Sequence, residues 1–120
     1  MEDFGKYIRT KCLDFSIDIV KLYKKLCENK KEYVLSKQLL RSGTSIGANL
    51  VEAQNGISSK DFVAKIYISL KETAETEYWL ELLQESEYLS ITDSEEILNN
   101  CRELTKILMA IVKTTFTKNK

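Results

Sequence analysis

Apolar residues recur at alternating steps of four and three near both ends of this chain. Ile8, Cys12, Phe15, Ile19, Leu22 and Leu26 follow that rule, which is the spacing of one seam of a helix bundle. It predicts a first helix over about 4–28, ended where Asn29, Lys30 and Lys31 break the rhythm. Ile97, Cys101, Leu104, Leu108 and Ile111 repeat the rule and predict a last helix over about 93–116. Thr92 with Glu95 three residues on reads as its capping box, in which each side chain satisfies a free backbone N–H.

The two middle segments are less regular. A second helix is predicted over about 34–54, with a core stripe of Leu35, Leu39, Ile46, Leu50 and Ala53. Gly43 and Gly47 lie beside that stripe. Glycine inside a helix costs about 1 kcal/mol relative to alanine, and close approach of another backbone is the usual compensation. Asn55-Gly56 supplies a stop, with Gly56 expected in the left-handed conformation of a C-terminal cap. A third helix is predicted over about 59–88, begun at Ser58 or Ser59 with Asp61 in its first turn. Its apolar residues form two stripes: Phe62, Val63, Ile66, Tyr67, Leu70 and Ala74 on one side, Ala64, Ile68, Trp79, Leu82 and Leu83 on the other. A surface helix needs one stripe, so the second implies either a wide core face or a subunit interface. Gly43, Gly47, Tyr67, Tyr78 and Trp79 are the residues expected at or beside such an interface.

Short connections between four helices cannot return the chain parallel to itself, so the expected fold is all-α, an antiparallel up-down-up-down four-helix bundle in a single domain, 1–120. Composition agrees. There is no proline, and only four glycines among 120 residues, which favours long helices over tight turns. No apolar run is long enough to span a membrane and the N-terminus lacks a signal-peptide core, so the expected compartment is the cytoplasm. Three cysteines without metal-ligand spacing fit a reducing compartment, with Cys12 and Cys101 as small core residues.

Candidate chemistry is confined to a polar line. Arg41, Ser45 and Glu52 share one face of the second helix, with Gln38 and Asn49 beside it, and Glu72 and Glu75 lie on the third. Carboxylates in a partly buried position need a paired charge, and the planar fork of Arg41 suits either glutamate. The expectation is a buried structural network of Arg41, Ser45, Asn49, Glu52, Glu72 and Glu75 that sets helix register. A di-metal carboxylate site would need Glu-x-x-His pairs, and the chain has no histidine. No Ser/His or Cys/His pairing and no phosphate-cradling glycine loop stands out. No catalytic residue, metal or cofactor is expected.

The net charge is zero but unevenly spread. Residues 1–41 hold 10 Lys+Arg against 6 Asp+Glu, and residues 52–103 hold 4 against 12. A polyanion would therefore meet a local patch. Lys24, Lys25, Lys30 and Lys31 are the most concentrated one and the candidate nucleic-acid contact.

The run RSGTSIGANLVEAQ, followed by SSKDFVAKIYISLKETAETEYWLELL, resembles the bacterial 23S rRNA-intervening-sequence proteins. Arg41-Ser42, Ser45-Ile46, Asn49, Glu52-Ala53, Asp61-Phe62, Lys71-Glu72, Glu75-Thr76 and Tyr78-Trp79-Leu80 carry the likeness. Many relatives read Ala-Glu-Gly where this chain has Val51-Glu52-Ala53. The resemblance implies a non-enzymatic four-helix bundle that assembles into a cyclic homo-oligomer, with a pentamer as the expected form. The family is also similar to the accessory protein of diversity-generating retroelements, which implies RNA or an RNA-associated protein such as a reverse transcriptase as partner. A protein–protein adaptor that never touches RNA is the alternative.

Overall fold

Each helix forms where the sequence offers a sustained apolar stripe, and each stops where the chain acquires local partners for its last carbonyls. In the computed structural model, which describes residues 2–118, these are α1 (Glu2–Lys30), α2 (Leu35–Gln54), α3 (Ser59–Glu85) and α4 (Ile91–Lys118). They pack in the order α1, α2, α3, α4 around a ring, so α1 and α3 stand at opposite corners. The seam between α2 and α3 is the most extensive, and that between α1 and α4 the least. The result is an antiparallel four-helix bundle 49 Å long and 20–23 Å across. The turns 31–34 and 86–90 lie at one end, and the turn 55–58 at the other.

The α1 seam is buried as its spacing requires, from Ile8 to Leu26. On α4 the buried apolar set is Ile97, Leu98, Cys101, Leu104, Leu108 and Val112, with Ser94 buried before it and Ile111 only partly covered. A straight helix of 3.6 residues per turn drifts off a strict seven-residue repeat, which moves the final core position on by one residue. Cys12 and Cys101 are core residues, and burial pushes their thiols up to about 11 and about 12 respectively.

The core face of α3 departs from both expected stripes. Its buried residues are Ile66, Ser69, Thr73, Thr76, Leu80 and Leu83, in steps of three and four, so hydroxyl residues occupy its middle. Small side chains let α2 and α3 approach closely, and each hydroxyl is satisfied. Ser69 Oγ donates to the Ile46 carbonyl across the seam at 2.7 Å, and Thr76 Oγ1 lies 3.0 Å from Ser42 Oγ. Thr73 Oγ1 bonds the Leu70 carbonyl of its own helix at 2.7 Å. A periodicity that scores Ser and Thr as polar passes over this stripe. The sites are buried all the same, because a helix carbonyl supplies the acceptor.

Three helix ends differ from expectation, and a fourth, the start of α2, is capped by a residue no sequence signal marked. Val34 caps α2 without a side-chain bond. That role falls to Glu32, buried in the preceding turn, whose carboxylate accepts from the backbone N–H groups of Val34, Leu35 and Ser36 at 3.2, 3.0 and 2.7 Å. Gly56 has no positive φ. Instead Asn55 closes α2, its side-chain amide donating to the Val51 carbonyl at 2.8 Å. The third helix ends at Glu85 and not 88, because Glu87 takes φ 69° and lets Tyr88 N–H reach the Leu83 carbonyl at 2.9 Å. α4 begins at Ile91, capped by Ser90, whose Oγ accepts from Asp93 N–H at 3.0 Å, in place of the expected Thr92 box. Ser58 caps α3 through Asp61 N–H at 3.1 Å, as the sequence suggests.

Candidate functional site

The glycines of α2 face α1. A Cβ on Gly43 would lie 2.8 Å from Ile19 Cγ1 and 2.9 Å from its Cγ2, and one on Gly47 would lie 3.2 Å from Cys12 Cβ. The close approach they permit is therefore with α1 of the same chain, not a contact reserved for a second subunit. Gly47 also leaves a shallow groove on the outside of the α1–α2 seam, walled by Leu13, Ser16, Ala48 and Val51.

The polar line lies on the outer face of the α2–α3 pair. Arg41 reaches both expected carboxylates, with Nη1 3.4 Å from Glu72 Oε2 and Nη2 on Glu75 Oε1. Trp79 Nε1 also donates to Glu75 Oε1, at 3.3 Å, so one glutamate joins the arginine to the indole. The network is not buried. The Arg41 side chain is 52% exposed, Glu75 38% and Glu72 14%. Ser45 and Asn49 take no part in it: Ser45 Oγ donates to the Arg41 carbonyl at 2.6 Å and Asn49 Nδ2 to the Ser45 carbonyl at 2.8 Å. Glu52 stands apart and pairs with Lys65 at 2.9 Å. The sequence placed these groups on one line, but side-chain length and local backbone bonding divided them into separate clusters.

Solvent screening sets the strength of such a pair. Arg41→Ala is expected to lower stability by about 1 kcal/mol, not the 3–5 kcal/mol of a buried pair, because the orphaned carboxylates can take up water. Urea unfolding of the variant measures it.

Of the aromatic residues singled out, Tyr67 and Tyr78 are exposed, at 45% and 58%, and Trp79 packs partly against the core. The Tyr78 and Trp79 rings meet edge-on with centroids 5.2 Å apart. Ile68, on the same outer side of α3, is exposed too. At the opposite corner α1 exposes Leu13 and Ile17. Lys24, Lys25, Lys30 and Lys31 are all exposed around the end of α1. Lys25 and Lys30 line a cavity there, while Lys24 and Lys31 lie outside it.

No group of three or more His, Cys, Asp or Glu among the described residues is placed to hold a metal ion. No helix among the described residues is long and apolar enough to cross a membrane. What the arrangement offers is surface: two apolar corners, a charged α2–α3 face and a basic end.

Residues 7–110 match the family described as 23S rRNA-intervening sequence protein. The chain belongs to that family. A crystal structure of a protein of unknown function from the S23 ribosomal protein family of Bacteroides thetaiotaomicron VPI-5482 is similar at 50% identity, covering 91% of this chain and 97% of that one, with a TM-score of 0.89. No curated protein matches this chain. The family assignment agrees with the resemblance carried by the α2–α3 motif, and the fold agrees with the expected bundle.

Proposed function

We propose that this family member is a non-enzymatic scaffold that assembles into a ring and engages RNA or an RNA-bound protein. The observation that carries the assembly is the placement of four of its exposed apolar residues. Leu13 and Ile17 lie on α1 and Ile68 and Tyr78 on α3, at opposite corners of the bundle. Two unlike patches on opposite sides suit a head-to-tail contact, and repeated head-to-tail contacts close into a ring when the rotation allows. The groove left by Gly47 and Ala48 beside Leu13 gives the α1 side a concave seat for a protruding side chain. The pentamer is the family's expected size and the RNA partner is what the family description suggests. The basic end of α1 is the surface that suits a polyanion.

Sedimentation equilibrium at micromolar concentration tests the assembly. A multiple of 13.9 kDa is expected, and Leu13→Glu/Ile17→Glu is expected to return the monomer with its helicity intact. A wild-type monomer would refute the ring. Binding of labelled structured and single-stranded RNA across a salt series tests the partner: affinity that falls steeply with salt supports RNA contact. No complex at low salt favours a protein–protein adaptor.

A further inference from the structure

The end of the bundle that holds the turns 31–34 and 86–90 combines features found nowhere else among the described residues. Lys31 (φ 54°) and Glu87 (φ 69°), one in each turn, are the non-glycine residues with left-handed backbone. In both turns that conformation follows a helix C-terminus and closes that helix: Glu32 N–H reaches the Leu26 carbonyl and Leu89 N–H the Leu83 carbonyl, both at 3.1 Å. Between the turns, the α1–α4 seam opens into a cavity of about 150 Å³ lined by Lys25, Asn29, Lys30, Tyr88 and Asp93, with Leu22, Leu26 and Leu89 as its apolar floor.

From this juxtaposition we infer that the cavity binds one unpaired nucleotide, its base against the Tyr88 ring and its phosphate between Lys25 and Lys30. The backbone that carries the ring is fixed. Glu87 turns the chain so that Tyr88 and Leu89 N–H both bond the Leu83 carbonyl, at 2.9 and 3.1 Å, while Leu89 buries beneath and leaves Tyr88 37% exposed. A partly exposed aromatic ring on a pinned backbone suits base stacking, which is tolerant of base identity. The mixed polar wall favours a nucleotide over a bare anion. Asp93 would repel a lone phosphate, but its carboxylate can accept from the exocyclic amine of a base while the two lysines, on α1, take the negative charge.

The occupant is short. Further along the same seam the walls carry Asp14, Asp18, Glu96 and Glu103 beside Lys11 and Lys21, which disfavours a phosphate backbone laid along the groove. A duplex, with its bases stacked inside, cannot present one to Tyr88. The site therefore selects a loop, bulge or strand end. The inference rests on the RNA reading above and adds to it the form of RNA and the place.

Fluorescence anisotropy with a labelled single-stranded hexaribonucleotide and a matched duplex tests it on the full chain. The wild type is expected to prefer the single strand. Tyr88→Ala is expected to weaken that binding about tenfold with an unchanged salt slope, because stacking releases no counterions, while Tyr88→Phe stays within about twofold. Lys25→Gln/Lys30→Gln is expected to flatten the slope instead. Circular dichroism confirms that each variant keeps its helices. Single-strand binding untouched by Tyr88→Ala, or no preference over duplex, would overturn this site and leave the RNA reading standing. Absence of all RNA binding by the wild type at low salt would overturn both.

Discussion

Gly43→Ala lowers the stability of the bundle, although alanine is the better helix former by about 1 kcal/mol. The added Cβ would sit 2.8 Å and 2.9 Å from Ile19 Cγ1 and Cγ2. Those atoms are attached directly to the Ile19 Cβ and cannot swing aside as the end of a long side chain would. Ile19 is itself 0% exposed, so the clash passes to the backbone of α1. Overpacking of this kind costs about 1–3 kcal/mol, which exceeds the gain in helix propensity at all but its lower limit. Gly43→Leu is expected to cost about 3 kcal/mol or more, enough to threaten a small domain. Thermal and urea unfolding measure both. An alanine variant more stable than the wild type would show that α1 and α2 slide apart easily. Gly47→Ala, whose Cβ would meet Cys12 Cβ at 3.2 Å, should be the milder of the two alanine variants.

The second large effect falls on Glu32, a residue that no motif singles out. Its carboxylate receives three backbone N–H groups at the start of α2, and Ser36 Oγ donates to its carbonyl at 2.8 Å. Glu32→Ala is expected to cost about 2 kcal/mol, since it leaves donors at a buried helix end without an acceptor. Glu32→Gln keeps one acceptor oxygen and should lose about half as much. Burial alone would raise the Glu32 carboxyl, but the hydrogen bonds from Leu35, Ser36 and Val34 outweigh it and hold the group below the ordinary value of 4.5. The sign of the pH dependence follows. Above 4.5 the unfolded chain is ionised as well, and the full stabilisation is present. As pH falls below that value the unfolded chain takes up its proton first, and the stabilisation is lost by the time pH has passed through the lower folded value. Acid unfolding of the wild type should thus be steeper than that of Glu32→Ala, with the gap between the curves narrowing at low pH but not closing, because the protonated carboxyl keeps one acceptor oxygen as Gln does.

The fold was largely legible because its strongest signal is local. The seams of α1 and α4 appear as a run of steps of three and four, and burial follows them to within one residue at the C-terminal end. The absence of proline and the sparse turns indicate long helices and antiparallel neighbours without any tertiary information. The motif from Arg41 to Leu80 marked the family, and the pairing of Arg41 with Glu72 and Glu75 could be read from the chemistry of the side chains.

What the sequence determined by itself was therefore the helices, their order, the family and the partners of Arg41. The tertiary structure decided what each position faces. Ser69, Thr73 and Thr76 read as polar, yet they form the α3 core face because a neighbouring or local carbonyl removes the cost of burying a hydroxyl. Arg41 reads as a buried partner, yet it stands half in solvent because α2 and α3 pack through those small residues and leave their longer side chains outside. Gly43 reads as a place for some close contact, and only the packing order shows that the contact is Ile19. Helix ends fall to the same level of decision. Glu32, Asn55 and Ser90 serve as caps through side-chain geometry that depends on where the turn carries them, and spacing along the chain does not specify that.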